Sequence, residues 1–205
     1  VSYRETIGNT VLGCGHFEPL RHYAEVHLAL SPGKRGSGIT FESKCPFDQL
    51  DRSYQNLIQT HVFERELRGV LVGAPLTDVR VTLLAGKAHE KHTEGGDFRE
   101  AVYRALRQGL MQAESILLEP WYAFRIQADS RQLGRILSDI QRLQGVFEPP
   151  RQQENRVTVN GRGPAAGFIN YSRELAAFTK GKGMFSFRFD GYEPCQNQEE
   201  LAARF

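Results

Sequence analysis

The sequence is short of cysteine, of apolar runs and of net charge, and each shortage excludes something. Its three cysteines, Cys14, Cys45 and Cys195, are an odd number at wide spacing in 205 residues, which makes neither a disulfide framework nor a zinc-ligand spacing. A reducing cytoplasm is the compartment expected. No run reaches the ~18–20 apolar residues that a membrane span needs. The opening Val1-Ser2-Tyr3-Arg4-Glu5-Thr6-Ile7 has no apolar signal segment and no initiating Met, and it runs straight into strand-like sequence. The chain is therefore expected to be a piece of a longer protein. Lys and Arg number 26 against 24 Asp and Glu, so there is no basic block for bulk nucleic-acid binding. Of those cations 20 are Arg and 6 are Lys, a bias that suits bidentate phosphate contacts and that a GC-rich genome also produces.

Three nucleotide and catalytic signatures are missing as well. Neither Gly33–Gly38 nor Gly181-Lys182-Gly183 satisfies G-x-x-x-x-G-K-[ST]. No dinucleotide fingerprint and no nucleophile-elbow pentapeptide is present. No catalytic residue or bound cofactor is assigned.

What is present is core-forming material. With 40% hydrophobic residues the chain can bury a core, and its length suits one large domain or two small ones. His22 to Leu30 alternates as a strand, Ser31–Gly38 is a turn cluster and Ile39–Ser43 resumes as a strand. A helix is expected from Phe47, with Gly69 as its closing C′ residue. Val79–Ala85 reads as a strand, and Asp97 with Glu100 as the capping-box start of a second helix. The regime changes at Ile116-Leu117-Leu118-Glu119-Pro120. Beyond it come a strand through Trp121, Phe124 and Ile126, a helix capped by Ser130 and closed by Gly145, and a hairpin loop at Glu148–Asn155. A strand at Arg156–Gly161, a helix opened by Pro164 and a last strand with Phe185, Phe187 and Phe189 follow. This βαββαβ order is the ferredoxin-like arrangement. The fold class expected is α+β with two domains, 1–117 and 118–205.

Several short stretches resemble, in order and at matching separations, the C-terminal part of the elongation factor G family. Tyr3-Arg4-Glu5-Thr6-Ile7 is similar to the opening of the family's fourth domain, Leu117-Leu118-Glu119-Pro120 to the start of its fifth, and Leu175–Gly183 to a signature near that domain's end. Gly36–Ser43, Ser53-Tyr54-Gln55-Asn56, Thr77-Asp78-Val79, Asp97-Phe98-Arg99 and Lys180-Gly181-Lys182 resemble the branch that holds the tetracycline-resistance ribosomal protection proteins. The resemblance implies a first domain like the second domain of ribosomal protein S5, reaching the decoding centre, and a ferredoxin-like domain near the rRNA of the large subunit. It implies as partners the ribosome, with its 16S and 23S rRNA and ribosomal proteins, and no membrane. It also implies a monomeric cytoplasmic protein whose GTP and Mg belong to an N-terminal domain outside this stretch.

The resemblance places Arg21-His22-Tyr23 on one tip loop and Lys87, His89, Lys91 and His92 on another, with His89 at the tip histidine. These residues are the donors and planar groups that phosphates, 2′-hydroxyls and exposed bases require. Lys180 and Lys182 are the contact candidates in the second domain, since neighbouring glycines let a backbone approach phosphate. The chain departs from the protection proteins at Lys87–Gly96, where they carry a tyrosine/serine/proline-type loop. The expected function is rRNA contact that promotes translocation or displaces a ligand at the decoding centre. Tetracycline protection is the first alternative. A metal-dependent enzyme using His89 and His92 with His16 or His22, and a domain that contacts only protein, are the others. His27 alternates onto the outer face of its strand and receives no role.

Overall fold

A computed structural model describes all 205 residues. They divide into two compact units, Tyr3–Leu118 with Pro194–Phe205, and Glu119–Glu193 with Val1–Ser2. No helix is long and apolar enough to cross a membrane. Residues Pro194–Phe205 cluster with the first unit, where Cys195 N donates to Leu117 O (2.9 Å) and the Gln198 side-chain amide brackets Ser115 and Leu117.

In the first unit β1 (Arg4–Ile7) precedes β2 (Val11–Phe17), β3 (Ala24–Pro32) and β4 (Ile39–Ser43). Then come α1 (Arg52–Phe63), β5 (Val79–Ala88) and α2 (Gly95–Gln112). The sheet order is β2-β3-β5-β4, antiparallel except for β4, which lies parallel to β5 across the α1 connection. In β3 the inward set Ala24, Val26, Leu28 and Leu30 is fully buried, as strand alternation requires. The α2 face of Phe98, Ala101, Val102, Ala105, Leu106 and Leu110 closes the core. β2 carries no apolar alternation because its inward positions are Gly13 and Gly15. A Cβ there would lie 2.0 Å from Ala105 O and 1.7 Å from Ala101 O. The helix backbone therefore rests directly on the strand.

Helix α1 is shorter at both ends than the sequence predicts, with a start at Phe47 and Gly69 as the closing C′ residue. Pro46 O accepts from Gln49 and Leu50 N in a separate turn before it, and the chain leaves the helix at Glu64. Gly69 does not cap it. Residues 65–77 instead wrap the fully buried Glu5, whose carboxylate accepts from Leu71, Val72 and Ala74 N at 2.8–3.2 Å. Gly69 leaves the room Glu5 needs, since a Cβ there would sit 2.1 Å from Oε1. Buried Asp78, at φ +56°, accepts from Gly36 and Gly38 N (3.1 Å each) and from Arg35 (3.2 Å). That anchors the turn between β3 and β4.

The boundary falls inside β6 (Ser115–Asp129), whose first residues pair with β1 and whose later ones pair with β9 (Arg156–Pro164). The second unit has α3 (Leu133–Arg142), the short β7 (Val146–Phe147) and β8 (Arg151–Gln153) against β9, then α4 (Ala165–Phe168), α5 (Tyr171–Thr179) and β10 (Met184–Pro194), which pairs with β6. Its core joins Phe124, Ile126, Val157 and Val159 to Ile136, Ile140, Phe168 and Leu175. Asp129, not Ser130, caps the helical start, accepting from Arg131 N (2.9 Å) across a 3-10 turn. Gln144 (φ +67°), not Gly145, takes the left-handed position after α3. The helix opened by Pro164 is two pieces, and Ile169 between them is half exposed rather than core. The tail forms α6 (Gln198–Ala202) in the first unit.

Gly13→Ala or Gly15→Ala should cost about 1–3 kcal/mol or more, because the methyl meets helix backbone that cannot rotate away. Gly134→Ala, with nothing within 4 Å, should cost nothing and gain up to ~1 kcal/mol. Urea unfolding of the three variants checks this, and equal midpoints would contradict it.

Candidate nucleic-acid interface

The two loops singled out from the sequence leave the same end of the four-stranded sheet, because Ala24 pairs with Ala88. Residues 18–23 join β2 to β3, and residues 89–94 join β5 to α2. Hydrogen bonds sew the loops together. Tyr23 N donates to His92 O (2.9 Å), and the Thr93 hydroxyl donates to Tyr23 O (2.7 Å) and accepts from His89 N (2.7 Å). Arg21 sits at φ +68°, a left-handed conformation that costs a non-glycine residue ~1 kcal/mol. The next residue holds it, since His22 N donates to Pro19 O and His22 Nδ1 lies 2.9 Å from Asp97 Oδ1.

Asp97 is the junction of this end. Helix α2 starts at Gly95, so the capping box is Glu94 with Asp97 rather than Asp97 with Glu100. The Glu94 side chain accepts from the N3 backbone, and Asp97 Oδ2 accepts from Glu94 N (2.9 Å). A single buried carboxylate thus starts the helix, ends one loop and holds a histidine of the other.

The seven residues, six in these loops and Lys87 at the end of β5, separate into two kinds. His22 and Tyr23 are half-buried and engaged, His22 with Asp97 and Tyr23 through its hydroxyl with Glu25 Oε2 (3.1 Å). Arg21, Lys87, His89, Lys91 and His92 are exposed, and none has a carboxylate partner. The rings of His89 and His92 stack at 4.6 Å with 23° between their planes. The Lys91 backbone N–H donates to His89 Nδ1 (3.2 Å), which ties the stacked pair to the loop backbone.

Lys180 and Lys182 are exposed at the end of α5 in the second unit. Lys180 itself takes the left-handed C-cap (φ +54°) ahead of Gly181. Arg156 donates to Lys182 O (3.4 Å), which joins this turn to a polar concavity lined by Arg125, Gln127, Arg151, Arg156 and Thr158. Sequence reading missed these arginines. Their signal was the alternation Arg125/Ile126 and Arg156/Val157, which assigns the arginines to the face opposite the core.

A second group that the sequence left without a role lies on the outer face of β2 and β3. Cys14 stands opposite His27 and His16 opposite Glu25. Cys14 Sγ is 3.8 Å from His27 Nε2, which is 2.9 Å from Glu25 Oε1. The hydrogen bond from His27 holds the Glu25 carboxyl below the usual carboxylate range. Partial burial, reinforced by Glu25, pushes the Cys14 thiol up. His89 and His92, by contrast, stack on each other instead of converging with a third metal-ligating side chain.

Residues 1–114 match the family model of elongation factor G, domain IV, and residues 116–201 match that of the elongation factor G C-terminus. The chain is 30% identical over 199 residues to elongation factor G 1 of Synechocystis sp., covering 95% of this chain and 29% of that protein. It is 29% identical over 171 residues to the tetracycline resistance protein TetP of Clostridium perfringens, covering 83% of this chain and 26% of TetP. A crystal structure of a Thermus thermophilus protein superposes over 100% of this chain and 31% of its own, with a TM-score of 0.86 and 28% identity. The chain spans less than a third of the length of each of these proteins.

Two outcomes test the geometry. Asp97→Ala should lower stability by about 1–2 kcal/mol in urea unfolding and raise amide exchange at residues 89–94. Wild-type values of both would remove Asp97 from its junction role. Glu25 has a folded-state pKa below its unfolded one, so its contribution to stability is present above about pH 4.3 and fades as pH falls through the lowered value. Carboxyl NMR should show Glu25 titrating low in the wild type and moving up in His27→Ala.

Proposed function

The chain belongs to the elongation factor G family, spanning its domain IV and C-terminus, and we propose that it is the ribosome-contacting part of a translational GTPase. On this reading the first unit presents Arg21, Lys87, His89, Lys91 and His92 to the rRNA of the decoding centre. Lys180 and Lys182, with the adjoining Arg125, Arg151 and Arg156, meet rRNA of the large subunit. Binding at these loops promotes translocation or displaces a ligand. The GTP and Mg that power the cycle belong to a segment outside these 205 residues, and the whole protein works in the cytoplasm as a monomer.

The observation that carries the reading is the pair of stitched loops. Five exposed cationic or imidazole side chains with no acidic partner converge on one end of a rigid sheet, in a chain whose charges otherwise cancel. Ammonium, guanidinium and imidazole groups held there on ordered backbone can contact phosphates and stack on splayed bases. The bonds between Tyr23, His92 and Thr93 keep the loops from rearranging when they meet a surface. The likeness to TetP supports drug protection as a second reading. Both readings use the same loop, and they separate by whether the full-length protein restores translation in the presence of tetracycline.

Lys87→Ala with Lys91→Ala in the full-length protein should weaken ribosome binding and lower the slope of log affinity against log salt by about 1–2. Sedimentation with ribosomes over a salt series measures it. Unchanged affinity and slope would remove the loop from the interface.

A further inference from the structure

The outer face of β2 and β3 holds a side-chain group that rRNA contact at the sheet's end does not use. Cys14 and His27 are directly opposed in the antiparallel ladder, and Glu25 is two residues from His27 on the same face. Opposed residues hold their Cβ atoms ~4.5–5.5 Å apart, so the register itself keeps thiol, imidazole and carboxylate together. One ligand atom from each of Cys14, His27 and Glu25 lies within 4.8 Å of the other two. Zinc bonds of ~2.3 Å to sulfur and ~2.0–2.1 Å to nitrogen or oxygen put tetrahedral ligands about 3.3–3.7 Å apart. The Sγ–Nε2 separation of 3.8 Å lies just above that range and the Nε2–Oε1 separation of 2.9 Å just below it, so a small adjustment of each would seat the ion.

The surroundings suit a cation as well. The Tyr23 hydroxyl donates to Glu25 Oε2 and so orients the carboxylate with Oε1 toward His27, as outer partners of metal ligands do. Behind the strand, Gly13 and Gly15 press β2 onto α2, so Cys14 stands on stiff backbone. The opposing charge is Lys87, across β5 from Glu25, on a long exposed stem that can turn to water. His27 and Glu25 remain partly exposed, at 42% and 26%, which gives an ion a path from solvent. A thiolate with imidazole and carboxylate selects a borderline-soft ion over magnesium or calcium.

We propose that Cys14, His27 and Glu25 form a binding site for one zinc ion per chain, with the fourth position open to water. The ion would cross-link the β2–β3 hairpin and, through Glu25, hold the Tyr23 hydroxyl at the base of the loop-bearing end.

The test is titration of the reduced, metal-stripped full chain with zinc by calorimetry and with cobalt(II) by absorption. The expected result is one ion per chain, a sulfur-to-cobalt charge-transfer band, and a rise in melting temperature with zinc. Cys14→Ser and His27→Ala should each lose the affinity by about tenfold or more and Tyr23→Phe should lower it by about tenfold, while His89→Ala with His92→Ala keeps it. Glu25→Gln, which preserves shape, serves should Cys14→Ser fail to fold, and it too must lose affinity. No binding at one equivalent, no charge-transfer band, or affinity that survives both Cys14→Ser and Glu25→Gln would overturn the site.

Discussion

Everything at the loop-bearing end depends on how closely α2 lies against β2. Gly13 and Gly15 present bare Cα atoms to the carbonyls of Ala105 and Ala101, nearer than any side chain would permit. This contact fixes the axis of α2 and therefore the place of its first turn. Asp97 in that turn then reaches both Glu94 N and His22, and through them the two loops are set. Glycine normally weakens a strand by entropy and lost packing. Here that cost is offset by the fully buried helix face, Phe98 through Leu110, that the close approach brings onto β3.

Buried charge does a second part of the organisation. Glu5 and Asp78 are almost without solvent, and a lone buried carboxylate would be costly. Each is satisfied largely by backbone N–H groups: Leu71, Val72 and Ala74 for Glu5, and Gly36 and Gly38, together with the Arg35 guanidinium, for Asp78. Carboxylates used this way substitute for regular structure. They give fixed form to residues 65–77 and 33–38, which have no strands or helices of their own.

The second unit separates core from surface by strand alternation. Phe124, Ile126, Val157 and Val159 turn toward the helices, while Arg125, Gln127, Arg156 and Thr158 line the opposite face. A nearly neutral chain thereby obtains local cationic surface without a basic segment. In the first unit Glu5, Asp78 and Asp97 are drawn into loops and a helix cap, while Arg21, Lys87 and Lys91 stay exposed without a carboxylate partner.

Much of this was legible in the residues. Alternation in β3 and β9 and the apolar stripes of α2 and α3 follow from periods of two and 3.6, which local sequence carries directly. The short shared stretches carried the family. The helix ends were not legible, because Glu5, seventy residues away, decides where the chain after α1 goes, and Glu94 rather than Asp97 proved to be the cap. β2 was hidden because its inward residues are glycines, whose meaning appears only once α2 is against them. Cys14, Glu25 and His27 had no sequence signature at all, since ladder register, not spacing, brings a thiol to an imidazole thirteen residues on. The sequence by itself thus determined which faces are buried and what kind of protein this is. The tertiary structure alone decided which polar side chains meet, because those meetings depend on pairing register and helix placement that no local stretch encodes.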